Sequence, residues 1–203
     1  MTFDLETVAH HSHVPRLMNG APVLDVGARG FEFSSHFAMR GHRVIALDPD
    51  PEVTDPGIPG VTFLRMALGY DTRRERSLVL HPNPEARFLL RSGEDSQYGK
   101  IEVQATDILG LMDMLNVDEW DLVKLNCEGE EAEILSSWPG QVARQIVVSF
   151  HEHFRPIGEP AIEKVVGHLL QWYVPARHVK DARYGGGENY WDSVFVARGL
   201  EGA

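Results

Sequence analysis

The stretch that decides the fold is Pro22–Pro51, "PVLDVGARGFEFSSHFAMRGHRVIALDPDP". "PVLDVGA" reads as a buried strand, followed by a turn with Gly27 and Gly30. "FEFSSHFAMRG" places Phe33, Phe37 and Ala38 at helical spacing, with Gly41 positioned to cap the helix. "HRVIALDPD" is a second strand that Pro49 ends, and Asp48 sits at its tip. Strand, glycine turn, helix, strand and acid together form half of a nucleotide-binding α/β unit.

The same alternation continues outward. "VTFLRMALG" reads as a third strand, "IEVQATDIL" as a strand running into the helix "ILGLMDMLN", and "WDLVKLNCEG" as a strand before the helix "EEAEILSSW". "RQIVVSFHEH" is an apolar strand and "EPAIEKVVGHLLQWY" an amphipathic helix. The end, "ARHVKDARYGGGENYWDSVFVARG", reads as two strands around a glycine-rich turn. The expected fold class is α/β: a doubly wound sheet closed by a C-terminal hairpin. No repeat or composition break divides the chain, so residues 1–203 read as a single domain. Residues 1–20 read as an N-terminal helical appendage, and 70–100 as a long polar excursion on the substrate side of the sheet.

Composition narrows the function. With 203 residues and 43% hydrophobic content the chain can bury a sizeable core. No apolar run reaches membrane-spanning length, and "MTFDLETVAHHSH" lacks the basic and apolar regions of a signal peptide. One cysteine, Cys127, permits no internal disulfide. A soluble, cytoplasmic protein without a membrane partner is expected. The net charge of −11 weighs against a nucleic-acid partner.

Ligands of doubly wound sheets bind beyond the carboxyl ends of the strands, near the switch point. "DVGARG", "ALDPD", "RMALG", "KLNCEG" and "SFHEH" all turn polar or small there. Gly27 permits close approach of the backbone to a ligand. The run "GARGFE" lacks the third glycine of a dinucleotide fingerprint, and Arg29 and Phe31 intrude where a pyrophosphate would lie. Asp25 would repel phosphates but attract a sulfonium or an α-amino group. Asp48, about 20 residues on, is placed to accept ribose hydroxyls. That acid alone suits NAD and S-adenosylmethionine equally; Asp25 and the missing glycine favour S-adenosylmethionine. The bland alternatives are that Asp25 caps the following turn and that Asp48 starts the "DPDP" turn.

"VLDVGARGFEFS", "VIALDPDP", "VTFLRMALG", "DLVKLNCEGEEAEIL" and "VVSFHEH" together resemble the FkbM family of S-adenosylmethionine-dependent methyltransferases, from about Val23 to His153. The most specific element is the lysine followed by "EG-x-E", here Lys124 to Glu131. The resemblance implies a class I methyltransferase fold and O-methylation of a small molecule or sugar. It implies cofactor contacts at Asp25, Gly27, Ala28, Arg29, Gly30, Asp48, Pro49, Ala67 and Asn126. The family's usual aspartate is Asn126 here, its acid before the strand-end histidine is His151, and Arg29 replaces an asparagine. These departures weaken any metal-dependent reading, and no metal site is assigned. They also leave open a non-catalytic binding protein.

His151 and His153 share one side of their strand, with Glu152 opposite. An imidazole there is suited to act as a base toward a hydroxyl acceptor, so His153 and then His151 are the candidate catalytic residues. The alternative is that one of them only packs. Glu128 reads as a substrate or amino-group contact, or as first-turn stabilisation of the next helix. Lys124, inside an apolar strand, needs a partner: Glu128 or a neighbouring strand-end acid. Ser96 and Gln97, in the excursion, are the expected substrate contacts. "HHSH" at 10–13 reads as surface histidines, Cys127 as a small buried residue, and "YGGGENYWD" as a hairpin loop or a lid.

Overall fold

The computed structural model describes residues 2–91, 94–151, 158–180 and 190–202. A seven-stranded sheet forms the centre, in the order β11-β12-β10-β9-β3-β4-β5. Its members are β3 (Val23–Val26), β4 (Val44–Leu47), β5 (Val61–Leu64), β9 (Trp120–Leu125), β10 (Ala143–His151), β11 (Tyr173–Lys180) and β12 (Tyr190–Ala197). β3, β4, β5, β9 and β10 run parallel, whereas β12 pairs antiparallel with both β10 and β11. The α/β expectation and the closing antiparallel pair are both met.

From β3 the chain steps outward through α1 (Glu32–Met39) to β4 and β5. It then returns to place β9 on the other side of β3. The reversal point lies between β3 and β9, so the carboxyl ends of those strands open a crevice there.

Strand alternation sorts side chains to two faces. Leu24, Val26, Val123, Leu125, Val148 and Phe150 pack with residues of α2 (Ile108–Leu115), α3 (Glu131–Ser136) and α4 (Gly158–Leu169). Val23, Leu122 and Val147 face Phe33 and Phe37 of α1. Further along that second face the pattern turns polar: Asp25, Lys124, Ser149 and His151 are all buried.

Local signals account for most of the boundaries. Gly41 follows α1 at φ +86, a left-handed C-terminal position that favours glycine. The Asp107 side chain accepts from the Gly110 amide at 2.7 Å and caps α2.

Three expectations change. The first 20 residues are not a helical appendage. They form a hairpin of β1 (Glu6–Val8) and β2 (His11–His13), followed by a short 3-10 turn. Val8, Val14 and Leu17 bury against the α1 face, so packing prevails over local propensity. The "HHSH" histidines are accordingly not all on the surface: His11 and His13 are buried, and only His10 is exposed. The stretch read as one third strand is two. β5 stays in the central sheet, while β6 (Ala67–Leu68) joins β7 (Glu75–Val79) and β8 (Lys100–Thr106) in a separate three-stranded sheet. The 70–100 excursion is thus a β-structure with its own small core of Leu78, Leu89 and Val103. The glycine-rich turn between β11 and β12 lies outside the described residues.

Candidate active site

A cavity of about 560 Å³ sits at the carboxyl ends of β3, β4, β9 and β10. Asp25, Gly27, Ala28, Arg29, Asp48, Pro49, Ala67, Asn126, Glu128 and His151 line it. Gly30 has φ +87 and serves the turn, but it is not on the cavity wall. Ser96 and Gln97 are not on it either; the excursion reaches the cavity with Leu78 and the segment 83–89 instead. Within that segment, a 3-10 turn at Pro84–Ala86 carries Glu85 to the wall, capped by the Asn83 side chain. His153 lies outside the described residues.

The glycine turn is built by β9. A Cβ on Gly27 would stand 1.8 Å from the Asn126 carbonyl oxygen, and Gly27 has φ +72. The close approach that requires glycine is therefore to the neighbouring backbone. Lys124 fixes the same turn, donating to the carbonyls of Val26 at 3.2 Å and Gly27 at 2.8 Å. Its partner acid is Asp25, at 2.9 Å, and Asp25 also accepts from the Ser34 hydroxyl of α1 at 2.7 Å. Asp25 is only 1% exposed and is held as the counter-ion of Lys124. Asp25 also lines the cavity, where the expected cofactor contact would lie. The sequence asked of Lys124 a partner at Glu128 or at a neighbouring strand-end acid; that partner is Asp25, opposite it in register.

At the β4 end, Asp48 Oδ1 accepts from the Asp50 amide at 2.9 Å. The "DPDP" turn and the cavity wall thus use the same side chain. Burial pushes the Asp48 carboxyl above its ordinary value. Asp50, which sequence reasoning missed, gathers two guanidiniums: Arg29 at 2.7 Å and Arg87 at 2.7 Å. Arg29 also donates to the Pro84 carbonyl at 3.3 Å. Arg29 is thereby directed to Asp50 and to the excursion, which it ties across the β4 side of the cavity.

The run "EGEE" divides its acids among three tasks. Glu128 has φ +56, left-handed for a non-glycine residue, and its side chain is 23% exposed at the cavity. Glu130, fully buried, pairs with Arg76 of β7 at 3.2 Å and ties the small sheet to the large one. Glu131, also fully buried, accepts from the amides of Cys127 at 2.8 Å and Gly129 at 3.0 Å, and bonds His151 Nδ1 at 3.0 Å. Glu131 is the second residue that sequence reasoning did not single out. The signal was present in the "EG-x-E" run, but the role needs the fold.

His151 Nε2 lies 3.8 Å from Glu128 Oε2. Burial alone would lower the His151 pKa, but the Glu131 carboxylate and its hydrogen bond, with Glu128, outweigh burial and hold it above the ordinary value. Burial would raise Glu131, yet His151 and the Cys127 amide keep it low. Burial pushes Glu128 up to about 7, with Glu131 and Glu85 adding to the rise against the pull of His151 and Lys124. Two groups shifted upward, Glu128 to about 7 and His151 above its ordinary value, therefore stand together on the wall, a combination suited to proton transfer. Burial also pushes the Cys127 thiol up, which leaves it a poor nucleophile.

Among the described residues, no three His, Cys, Asp or Glu side chains are grouped to hold a metal ion. No helix of the described residues is long and apolar enough to cross a membrane.

No family model matches the sequence, and no curated protein matches it significantly. Solved structures do resemble it. One is a TehB-like SAM-dependent methyltransferase from Corynebacterium glutamicum, with 14% identity, TM-score 0.48, and coverage of 90% of this chain and 86% of that one. Another is 1,6-didemethyltoxoflavin-N1-methyltransferase from Burkholderia thailandensis, bound to 1,6-didemethyltoxoflavin and S-adenosylhomocysteine. It shares 18% identity at TM-score 0.43, over 88% of this chain and 72% of that one. A 16S rRNA (adenine(1408)-N(1))-methyltransferase W203A mutant from Catenulisporales acidiphilia shares 16% at TM-score 0.39, over 90% and 88%. The likeness is distant, and the case for any chemistry rests on the residues of the cavity.

Proposed function

We propose that this chain is an S-adenosylmethionine-dependent methyltransferase that methylates a hydroxyl oxygen of a small molecule or glycan. The observation that carries the reading is a single cavity with Asp48 at its β4 edge and the His151–Glu131 pair at its β10 edge. A ribose-binding acid and a base for the acceptor thus flank the glycine turn.

The residues fit the cofactor. Asn126 Oδ1 is buried on the cavity wall with no hydrogen-bond partner, an acceptor suited to an α-ammonium group. Asp48 would take the ribose hydroxyls, and the Gly27–Ala28 turn would pass beneath the middle of the ligand. When bound, the cofactor would supply a sulfonium methyl, whose carbon would bond the acceptor oxygen in line as its bond to sulfur breaks and leaves the pair on the thioether. His151 accepts the proton that the acceptor hydroxyl loses. Glu131 steadies the imidazolium so formed, and Glu128 shares the local proton. The excursion lines the cavity with Glu85 and Phe88.

Two other readings are weaker. A dinucleotide would need an open helix N-terminus for its pyrophosphate. Phe31 caps α1 without a side-chain hydrogen bond and is buried against Phe63. A non-catalytic binding protein would have no use for a histidine held by a buried carboxylate. The sheet order, with β12 reversed, and the Lys124–Glu131 run support membership of the FkbM family with its class I fold. The net charge of −11 supports a small acceptor over a nucleic acid, and a cytoplasmic setting belongs to the same proposal.

The test is methyl transfer from labelled S-adenosylmethionine to a panel of hydroxyl-bearing sugars and small metabolites. The reading expects label on an oxygen with wild-type chain and about 100-fold less with His151→Gln. Transfer that His151→Gln leaves unchanged would overturn the assigned base.

A further inference from the structure

The proposed chemistry makes no use of the N-terminal hairpin, yet its turn reaches the cavity: Ala9, His10 and His11 line the wall. We propose that His11 is a ligand contact, an imidazole that the hairpin delivers to the amino-acid end of the bound cofactor. This rests on the S-adenosylmethionine reading and adds to it a residue outside the sheet.

The placement is firmly built. Val14 donates to Gln145 Oε1 at 2.8 Å and accepts from Gln145 Nε2 at 3.2 Å, which binds the hairpin to β10. The His11 ring stands edge-on to Phe33 of α1, with ring centroids 5.8 Å apart. Its Nδ1 bonds the Ser149 hydroxyl at 3.3 Å. Its Nε2 has no hydrogen-bond partner among the described residues, although His11 is only 5% exposed. His11 lines the cavity, so that nitrogen is open to a ligand group there.

Register identifies which end of the ligand that is. Leu125 pairs with Val148, so Asn126 and Ser149 lie beside each other where the two strands emerge. His11 sits on Ser149, while Asp48 lies two strands away from β9, at the tip of β4. A ligand with its ribose at Asp48 therefore extends past Gly27 and directs its far end to Asn126 and His11. Asn126 Oδ1 can only accept a hydrogen bond, which suits the ammonium. In the tautomer in which Ser149 donates to Nδ1, the Nε2 of a neutral His11 carries the proton and suits the carboxylate. Burial, then the Lys124 charge, lowers the His11 pKa to about 2, so the ring is neutral at any working pH.

The turn carries the mark of a functional constraint. Ala9 has φ 46 and His10 has φ 70, in a two-residue hairpin loop that glycine or asparagine would adopt with less strain. Such strain concentrates at ligand sites.

The experiment compares S-adenosylhomocysteine with 5′-methylthioadenosine, which lacks the amino-acid end, by isothermal titration of wild-type chain, His11→Phe and His11→Gln. His11→Phe is expected to weaken S-adenosylhomocysteine at least tenfold and methylthioadenosine less than twofold, with His11→Gln recovering most of the loss. Ser149→Ala leaves the hairpin sequence intact and is expected to lower the same affinity ratio about threefold, so a misfolded His11→Phe leaves the test in place. Equal losses for both ligands would make the hairpin merely structural and overturn the inference, as would no loss for either. Wild-type chain that binds neither ligand overturns the cofactor reading itself.

Discussion

Two buried ion pairs lie on the same face of the sheet, and they do different work. Asp25–Lys124 crosses from β3 to β9 with 2.9 Å between its charged atoms. The ammonium also meets two backbone carbonyls, so its three protons have three acceptors. The pair fixes the glycine turn. His151–Glu131 joins β10 to α3 at 3.0 Å, and it contains an imidazole, held above its ordinary pKa by Glu131, beside the cavity-facing Glu128 carboxylate. Both pairs touch the cavity. What separates scaffold from candidate chemistry is the capacity to exchange a proton.

The largest effect should come from breaking the fixed pair. Lys124→Met leaves Asp25 buried without its counter-ion and is expected to cost about 3–5 kcal/mol of stability, read as a lower denaturant midpoint. The double variant Asp25→Asn/Lys124→Met should recover part of that loss. If the single variant stays as stable as wild type, the closed-pair account fails.

The exchangeable pair should respond in turnover and in its pH dependence. The His151 pKa lies above its ordinary 6.5, so turnover should fall as pH drops through that higher value and the base becomes protonated. Glu131→Gln removes the carboxylate that raises it and should move the inflection to lower pH, with turnover down about tenfold or more. An inflection that stays in place would separate Glu131 from the base.

The smallest effect concerns Glu128. Its carboxyl rises from 4.5 to about 7 on folding, so the folded chain binds that proton more tightly than the unfolded one. Stability is then lost as pH rises from about 4.5 to about 7 and stays lost above it. Glu128→Gln should raise the melting temperature by a few degrees at pH 8 and leave it unchanged at pH 4. A gain of equal size at both pH values would show that the Glu128 charge is not its cause.

Much of the scaffold was legible in the sequence because it rests on local patterns. The apolar runs of β3, β4, β9 and β10, the stop at Gly41 and the polar strand ends all carry signals within a few residues. The N-terminal hairpin was not legible. Its two-residue turn has no glycine, and its stability comes from packing on α1 and β10, far along the chain. The ion pair of Asp25 was not legible for the same kind of reason, since Lys124 stands 99 residues away across a strand pair. Glu131, by contrast, sat in a quoted motif. Only the fold shows that it hydrogen-bonds His151 Nδ1, while Glu128 stands at 3.8 Å from the other ring nitrogen and Glu130 pairs with Arg76.

The most direct measurement is isothermal titration of the wild-type chain with S-adenosylhomocysteine and with NAD, repeated on Asp48→Ala. The account predicts that S-adenosylhomocysteine binds, that NAD does not, and that Asp48→Ala weakens binding about 10- to 100-fold. Binding of NAD without S-adenosylhomocysteine, or S-adenosylhomocysteine binding that Asp48→Ala leaves unchanged, would contradict it.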